Sequence, residues 1–285
     1  MKFGGIVVEW YEKNKRDLPW RHTRDPYLVW ISEVILQQTR VNQGLEYYNN
    51  FATTFPDLAS LAAAPEDQVL KLWQGLGYYS RARNMHQAAK ELVNKHGGKM
   101  PASYEGLLAM KGVGVYTASA VASICYGEGK AVVDGNVSRV LARYFGVEEA
   151  VNSGAGLRII EQLSSQVMEE GPGNGLLNGS AQSSSENSSG NSSGDTAAGT
   201  HNQAMMEFGA LQCVPASPSC GECPLASSCI ARLSDRVGKL PLKIPKRLPV
   251  ERWMYFYVIV CDGETILTKR GEQGIWRSLY HFPVL

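Results

Sequence analysis

Hydrophobic residues recur every three or four positions through residues 1–170, which is the spacing of one face of an α-helix. Short groups of Gly and Pro separate segments whose lengths are typical of packed helices. The alternating pattern of a half-buried strand forms no convincing run in this part of the chain. The pattern therefore predicts a mainly α fold, with helical segments at 27–39, 66–74, 80–95, 105–110, 116–125 and 137–145.

The pattern changes at residues 171–200. Nineteen of these 30 residues are Gly, Ser or Asn, and Leu176 and Leu177 are the only large apolar residues among them. Because such a composition offers little apolar surface to bury, we expect a flexible, disordered insert. Helical periodicity resumes at 201–211.

Two segments at the C-terminal end of the chain differ from the helical part in composition. Residues 232–252 carry seven basic and two acidic side chains with three prolines, which indicates an extended basic linker. Nine apolar residues at 253–261, then Asp262-Gly263 and a second apolar run, predict a β-hairpin. Residues 253–285 are too few to complete a β domain, so we expect a truncated β fragment.

Composition narrows the class of protein. The chain has 285 residues, which suggests about two domains of ordinary size. Its 28 basic and 27 acidic residues leave a net charge of +1, so any surface for a polyanion must be a local patch. Because no apolar run approaches the roughly 18 residues of a membrane span, we expect a cytoplasmic protein without a membrane partner.

Four of the six cysteines lie close together near the C-terminal end of the helical part. Cys213, Cys220, Cys223 and Cys229 have the spacing C-x6-C-x2-C-x5-C. In a reducing compartment such a group indicates a metal centre at 201–231, and four thiolates suit either zinc or a [4Fe–4S] cluster. The single C-x2-C pair favours the cluster over zinc. The other two cysteines, at 125 and 261, lie in apolar runs and are expected to be buried.

A Gly-x-Gly turn separates two predicted helices. Lys111, Gly112, Val113 and Gly114 precede a helix rich in small residues. Free backbone N–H groups at such a turn can bind a phosphate at a helix N-terminus. Taken alone, the turn is more often a plain helix cap.

These segments resemble a known family. The runs LLAMKGVGVYTASAVAS and AVVDGNVSRVLAR are similar to the helix-hairpin-helix and the following aspartate of the DNA glycosylase superfamily that includes endonuclease III, and the cysteine spacing is similar to that of its iron–sulfur branch. Four further segments resemble the adenine DNA glycosylase (MutY) family: LPWR, WISEVILQQTRV, WQGLGYYSRARN and NQAMMEFGALQC.

The resemblance implies a fold and a set of partners. It implies two α-helical subdomains, one of which holds a [4Fe–4S] cluster, followed by a short incomplete Nudix-like β fragment. It also implies a monomer that binds double-stranded DNA containing adenine opposite 8-oxoguanine or guanine. With the β fragment truncated, we expect weaker discrimination between these two mispairs.

Two carboxyl groups are candidates for the chemistry. The predicted helix around Glu33 is apolar nearly all round, so we expect this side chain to be buried and its pKa to be raised, as a general acid requires. The bland alternative is a Glu that pairs with Arg40. Asp134 precedes a helix, where an N-cap is the default role. By resemblance it is the catalytic aspartate that stabilises positive charge on the sugar, while Glu33 protonates adenine.

Further roles follow from the resemblance. Asn136 would orient Asp134 or a water molecule. Tyr116 occupies the position at which lyase-competent relatives carry a lysine, so the chain is expected to leave an abasic site and to have little or no lyase activity.

Base release from a duplex requires extrusion of the nucleotide. Gln38 and Tyr78 match the family positions that insert into DNA, and Arg21 and Arg81 are candidate contacts to the DNA backbone, together with the Lys111–Gly114 turn. Two alternatives stay open. One is a pyrimidine-mismatch (T:G) glycosylase of the same fold, and the other is a non-catalytic iron–sulfur module that binds damaged DNA.

Overall fold

The computed structural model describes residues 2–170, 196–245, 251, 253–271 and 279–284. The chain divides into two compact units, Met1–Ile244 and Pro245–Leu285. Most of the insert expected at 171–200 lies outside the described residues.

The described part of the first unit is helical, as predicted. Its helices are α1 (Phe3–Asn14), α2 (Pro26–Leu36), α3 (Val41–Thr54), α4 (Leu58–Ala63), α5 (Glu66–Leu72), α6 (Ser80–His96), α7 (Tyr104–Leu108), α8 (Val115–Tyr126), α9 (Gly135–Phe145), α10 (Gly154–Glu169), α11 (Ala197–Leu211) and α12 (Ile230–Leu233), with a 3-10 turn at Pro19–Arg21. Among the residues described, none of these helices is both long and apolar enough to cross a membrane.

Two helix boundaries differ from the prediction by more than two residues. Helix α2 ends at Leu36 rather than 39, because Gln38 takes a positive φ of 59° that an α-helix does not allow. Helix α11 begins at Ala197, inside the expected insert, because the Thr196 hydroxyl accepts a hydrogen bond from the Gly199 N–H (2.9 Å) and caps it. The Gly- and Ser-rich composition obscured this N-terminal cap.

The helices pack in two groups, which confirms the two predicted subdomains. In the first subdomain α4 and α5 pack on α6, and α2 packs on α3 and α8, which also contacts α7. In the second subdomain α9 packs on α10, α11 and α12, and α1 returns to pack on α11. Helix α8 packs on both α2 and α11 and so joins the two subdomains.

Apolar side chains from distant parts of the chain form the core of the second subdomain. Val7 of α1, Leu141 of α9 and Phe208 of α11 are almost completely buried in it. Because burial of apolar area is the main favourable term in folding, this core fixes α9 and α11, the two helices that approach the first subdomain.

The Gly-x-Gly turn of the predicted helix-hairpin-helix lies between α7 and α8. Gly112 has a φ of +79°, and a Cβ atom at this position would lie 2.5 Å from the Asn84 Cβ, so only glycine fits. Gly114 is the N-cap of α8, and Val113 between them is buried. The turn therefore leaves the first N–H groups of α8 at its outer end.

The expected basic linker is wrong for its described first part, residues 232–245. The Val151 N–H donates to the Leu242 carbonyl (2.9 Å), and the Asn152 side chain exchanges two hydrogen bonds with the backbone of Ile244. Leu240 is buried, and its carbonyl accepts from the Arg143 Nε (3.0 Å). Backbone pairing thus packs this segment against the helices. Residues 246–250 and 252 of the predicted linker lie outside the described residues.

The second unit contains the predicted β-hairpin. Strand β1 (Val260–Cys261) pairs antiparallel with β2 (Glu264–Thr265) across a turn in which Asp262 and Gly263 both have positive φ. Strand β3 (Thr268–Lys269) pairs with β4 (Tyr280–His281). The expectation that Cys261 is buried is wrong, since its side chain is exposed at the end of β1.

Arg143 is the side chain that we expect to matter most for anchoring the 232–244 segment and the cysteine region. It is 3% exposed and donates to the carbonyls of Leu240, Val214 (2.7 Å) and Pro215 (2.9 Å). Arg143→Met leaves these carbonyls without their donor, so we predict that it lowers the free energy of unfolding by about 3 kcal/mol. Urea unfolding followed by circular dichroism measures this loss.

Arg236→Met is the matched control. Arg236 also anchors this segment, but it pairs with the exposed Glu148, so its loss should cost less than about 1 kcal/mol. Equal losses in the two variants would contradict the structural role given to Arg143.

Candidate active site

A cleft lies between the two subdomains. Helices α2 and α8 of the first subdomain and helices α9 and α11 of the second contribute its walls. The four side chains predicted to act in catalysis all line it, namely Glu33, Tyr116, Asp134 and Asn136. Residues that are 100 positions apart in the sequence therefore share one cleft.

Glu33 is buried on α2, as its apolar helix predicts. Glu33 is 6% exposed. Burial raises the pKa of Glu33 to about 7; a hydrogen bond from Tyr116 opposes the rise, the Asp134 charge adds to it, and Arg21 opposes it. A carboxyl group with this pKa keeps its proton for part of the time at neutral pH and can donate it.

Tyr116 lies beside Glu33 on α8. Burial, followed by the nearby Glu33 and Asp134 charges, raises the pKa of Tyr116 well above its ordinary value, so the phenol stays protonated. Its hydroxyl also approaches the Met206 sulfur of α11 at 3.3 Å. The ring thus spans the cleft from one subdomain to the other.

Asp134 is held in place by the start of α9. One carboxylate oxygen accepts from the Val137 N–H (2.7 Å) and the other from the Asn136 Nδ2 (2.9 Å). Burial raises the pKa of Asp134, and these hydrogen bonds oppose the rise. The residue is therefore the N-cap that its position predicts, and it lines the cleft as well.

Asn136 connects Asp134 to the cysteine region. The Asn136 Oδ1 accepts from the Arg139 Nη2 (2.9 Å), and Arg139 also donates to the carbonyls of Cys213 (2.7 Å) and Gly209 (2.6 Å). A Cβ atom on Gly209 would lie 2.6 Å from the Asn136 Cβ, so α11 packs tightly against the start of α9. This packing fixes the direction in which the Asp134 carboxylate points.

Sequence reasoning missed a buried ion pair in the wall of the cleft. Glu207 of α11 is 1% exposed and accepts from Arg16 and Arg21 through both carboxylate oxygens, at 2.5–3.0 Å. Burial opposes ionisation here, but the hydrogen bonds from these two arginines lower the pKa of Glu207 to about 2. The signal was available, because Glu207 is the one charged residue in the otherwise apolar run 204–211.

Arg21 and Arg81, the predicted contacts to the DNA backbone, both have partners within the protein, and their contact with DNA stays a prediction. The Arg21 guanidinium is 12% exposed and binds Glu207. The Arg81 guanidinium donates to main-chain carbonyls, including that of Gln37 (2.6 Å). Each guanidinium is engaged by the protein itself, which a residue type and a sequence position do not reveal.

The other predicted DNA-binding residues lie at the surface. Gln38 is exposed at the C-terminal end of α2, and Tyr78, in the turn before α6, is 68% exposed. Lys111 is exposed at the hairpin. These positions leave the side chains accessible to a large ligand.

The four cysteines of the predicted metal centre line a second cavity, together with Arg143. The Arg143 Nη1 lies 3.4 Å from the Cys213 sulfur. No group of three or more His, Cys, Asp or Glu side chains in the described parts of the chain is gathered closely enough to hold a single metal ion. The four cysteines therefore share one cavity.

Comparison with known proteins defines the class. Residues 31–163 match the family described as HhH-GPD superfamily base excision DNA repair protein. A thermostable thymine-DNA glycosylase has a similar structure, with a TM-score of 0.67 and 25% identity over 81% of this chain and 95% of that one. A non-covalent endonuclease III–DNA complex shares the fold, with a TM-score of 0.61 and 20% identity over 80% and 94% of the two chains. The fold and the cleft define a helix-hairpin-helix repair protein.

Curated relatives define the family more closely. The adenine DNA glycosylase of Buchnera aphidicola from Acyrthosiphon pisum is 34% identical over 282 residues, which cover 99% of this chain and 73% of the relative. The human adenine DNA glycosylase is 39% identical over 239 residues, which cover 81% of this chain and 39% of the relative. The chain belongs to the adenine DNA glycosylase family.

The raised pKa of Glu33 predicts how the free energy of unfolding depends on pH. An unfolded Glu loses its proton near pH 4.3, whereas folded Glu33 retains it up to about pH 7. The contribution of the neutral carboxyl is present below the unfolded pKa and is lost as the pH rises through the folded pKa. Glu33→Gln, which stays neutral, should therefore be more stable than the original chain at pH 8, by about 3 kcal/mol, with a much smaller difference at pH 4.5. Urea unfolding at the two pH values measures this change.

Glu161→Gln is the control, because Glu161 is exposed on α10. Its effect on stability should not change between the two pH values. A Glu33→Gln effect that is independent of pH would show that folding does not raise the pKa of Glu33.

Proposed function

We propose that this chain is a monofunctional adenine DNA glycosylase of base-excision repair, which hydrolyses the N-glycosidic bond of adenine opposite 8-oxoguanine or guanine in duplex DNA. The observation that carries the proposal is the presence of Glu33 and Asp134 in one buried cleft. Membership of the adenine DNA glycosylase family supports adenine as the base.

The two carboxyl groups suit the two charges that the reaction develops. Protonated Glu33 donates its proton to N7 of adenine, and the C1′–N9 electron pair leaves with the base. The ionised Asp134 stabilises the oxocarbenium character that remains on the sugar. Water then attacks C1′ and gives its proton to the Glu33 carboxylate, which restores the acid. Hydrogen bonds from Asn136 and Val137 keep Asp134 anionic and oriented.

The ion pair in the wall of the cleft gives adenine a polar surface to bind. The edges of adenine offer ring-nitrogen acceptors and an exocyclic amino donor. The Arg21 guanidinium supplies donors and the Glu207 carboxylate supplies acceptors on the same wall.

The absence of a lysine supports a reaction that stops at the abasic site. Among the described residues that line the cleft there is no lysine, and Tyr116 lies where an attacking amine would be needed. A phenol cannot form a Schiff base with the sugar, so strand scission through such an intermediate has no nucleophile here.

DNA is the partner that the outer surface supports. The Lys111–Gly114 turn presents the N-terminus of α8 for a phosphate. Gln38 and Tyr78 are exposed and are proposed to enter the duplex when the adenine nucleotide is extruded.

The cysteine cavity fits an iron–sulfur cluster. Cys213, Cys220, Cys223 and Cys229 supply the four thiolates that a [4Fe–4S] cluster requires. The single C-x2-C pair in their spacing favours such a cluster over a single tetrahedral zinc ion. When bound, the cluster would tie the loop after α11 together and so support the Arg139 hydrogen bond to the Cys213 carbonyl.

Single-turnover release of adenine tests the proposed function. The protein carrying its cluster is mixed with duplexes containing adenine opposite 8-oxoguanine, adenine opposite guanine, or thymine opposite guanine. We expect adenine release from the first two. Asp134→Asn and Glu33→Gln should each slow it by about 100- to 10,000-fold. The rate should fall as the pH rises through about 7, where Glu33 loses its proton. Release of thymine instead would support the pyrimidine-glycosylase alternative, and binding without release would support the non-catalytic one.

The role of Tyr116 has its own test. Tyr116→Lys places an amine in the buried cleft, where burial lowers the pKa of the amine while the nearby Asp134 carboxylate opposes that change, so a fraction of the amine is free to attack the sugar. We expect the variant to cleave the DNA strand and to be trapped on DNA by borohydride. Tyr116→Phe is the control and should show neither effect. Strand cleavage by the unaltered chain at the rate of base release would refute the monofunctional assignment.

A further inference from the structure

Two exposed side chains lie on turns that carry unfavourable backbone conformations. Gln38 has a φ of +59° and Tyr78 a φ of +45°. Side chains other than glycine rarely adopt this left-handed region, and it costs about 1–3 kcal/mol unless the surroundings impose it. Glycine would adopt this backbone conformation at lower free-energy cost in either turn. Gln38 and Tyr78 therefore occupy positions whose backbone conformation favours glycine. Something else must hold the two turns.

The Arg81 guanidinium contacts both turns. Its Nη1 donates to the carbonyls of Val34 (2.8 Å), Ile35 (3.2 Å) and Gln37 (2.6 Å) at the end of α2. Its Nη2 donates to the carbonyls of Leu76 and Gly77 (both 3.3 Å), just before Tyr78. One side chain thus binds the main chain on the N-terminal side of each left-handed residue.

At the end of α2 these contacts supply donors to main-chain carbonyls. The last carbonyls of an α-helix lack intrahelical donors, and Arg81 supplies a positive cap at this end of α2. The guanidinium also lies over the rings of Trp73 (5.1 Å) and Tyr78 (5.8 Å). The Trp73 indole in turn donates to the Gly77 carbonyl (3.0 Å). The turn that presents Tyr78 is therefore held from two directions.

A guanidinium suits this position better than an ammonium group. Its N–H donors lie in one plane and point in fixed, divergent directions, so it can serve two turns at once. A lysine ammonium is a single centre on a flexible stem and cannot reach both sets of carbonyls in this geometry. The shape of the group therefore matters here as well as its charge.

We propose that Arg81 is a positioning residue for base extrusion, which joins the Gln38 turn to the Tyr78 turn so that both side chains enter the duplex together. This proposal rests on the proposed function, since extrusion is a step of adenine release. Arg81 itself need not touch DNA in this role. The structure thereby gives it a different task from the backbone contact that the sequence suggested.

Hydrogen exchange of the free protein tests the joining of the turns without any activity. The Thr39 N–H donates to the Leu36 carbonyl in one turn, and the Leu76 N–H donates to the Trp73 carbonyl in the other. In Arg81→Lys we expect both amides to exchange faster by about tenfold or more, while amides of α9 and α11 keep their rates. Arg81→Gln is a second variant in case the lysine variant folds poorly.

Arg83→Lys is the matched control. Arg83 is on the same helix and pairs with Glu66. Its substitution should leave the exchange of Thr39 and Leu76 unchanged. If Arg81→Lys changes neither amide, or only one of them, the proposal that Arg81 joins the turns is overturned.

Base extrusion is measured with 2-aminopurine in place of the target adenine. Its fluorescence rises when it leaves the stack, and Asp134→Asn serves as the background so that chemistry does not follow. Adding Arg81→Lys should slow extrusion by about 10- to 100-fold. In a background that also carries Gln38→Gly and Tyr78→Gly, the same change should cost less than about threefold, because the side chains that it positions are gone.

The outcomes separate the two proposals. An equal loss in both backgrounds would show that Arg81 acts only through general stability, which overturns its positioning role. Failure of the original chain to release adenine would overturn the proposed function, while the exchange data would still decide whether Arg81 joins the turns. The proposal is supported if both amides exchange faster and extrusion slows mainly in the background that retains Gln38 and Tyr78.

Discussion

Glu33 shares a desolvated cleft with Asp134, and the chemistry proposed for this chain depends on that shared burial. Removing water raises the free energy of both carboxylates, but the start of α9 stabilises the anion of Asp134 through two N–H groups. Glu33 has weaker compensation, and burial raises its pKa to about 7. Burial therefore favours a protonated Glu33, while the hydrogen bonds to Asp134 favour its anion. One acid beside one anion is the division of roles that cleavage of a glycosidic bond requires.

A comparison of two glutamates shows how neighbours decide the outcome of burial. Glu33 and Glu207 are both almost inaccessible to solvent and both line the cleft. Two arginines form hydrogen bonds with Glu207, and its pKa falls to about 2, whereas Glu33 has no such partners and its pKa rises. Glu207 is thus a fixed anion that can position Arg21, while Glu33 is able to exchange its proton. Burial by itself predicts neither role.

The two subdomains contribute different parts of the site. The first carries the acid on α2, Tyr116 on α8 and the exposed Gln38 and Tyr78. The second carries the anion at the start of α9 and the ion-paired Glu207 on α11. Because α8 packs on both α2 and α11, the relative positions of acid and anion depend on helix packing across this junction. Gly209, which leaves room for Asn136, belongs to the packing of α11 on α9 within the second subdomain.

The sequence by itself determined the helical character of the first unit, the hairpin at Gly112 and the Asp262-Gly263 turn, because these depend on local periodicity and on glycine conformations. It also marked Glu33 as buried, since an acidic residue on an all-apolar helix has no solvated face to occupy. Spacing alone grouped the four cysteines that line one cavity.

Only the tertiary structure decided what the arginines do and where the segments after α12 lie. A guanidinium at the end of a long side chain can reach DNA, a carboxylate or a backbone carbonyl, and sequence position does not choose among them. Arg21 binds Glu207, which lies far from it in the sequence, and Arg81 binds two separate turns. Likewise, residues 232–244 have a composition typical of a linker, yet backbone pairing with Val151 and Asn152 packs them against the helices. Contacts between distant residues depend on the folded arrangement, and local patterns do not encode them.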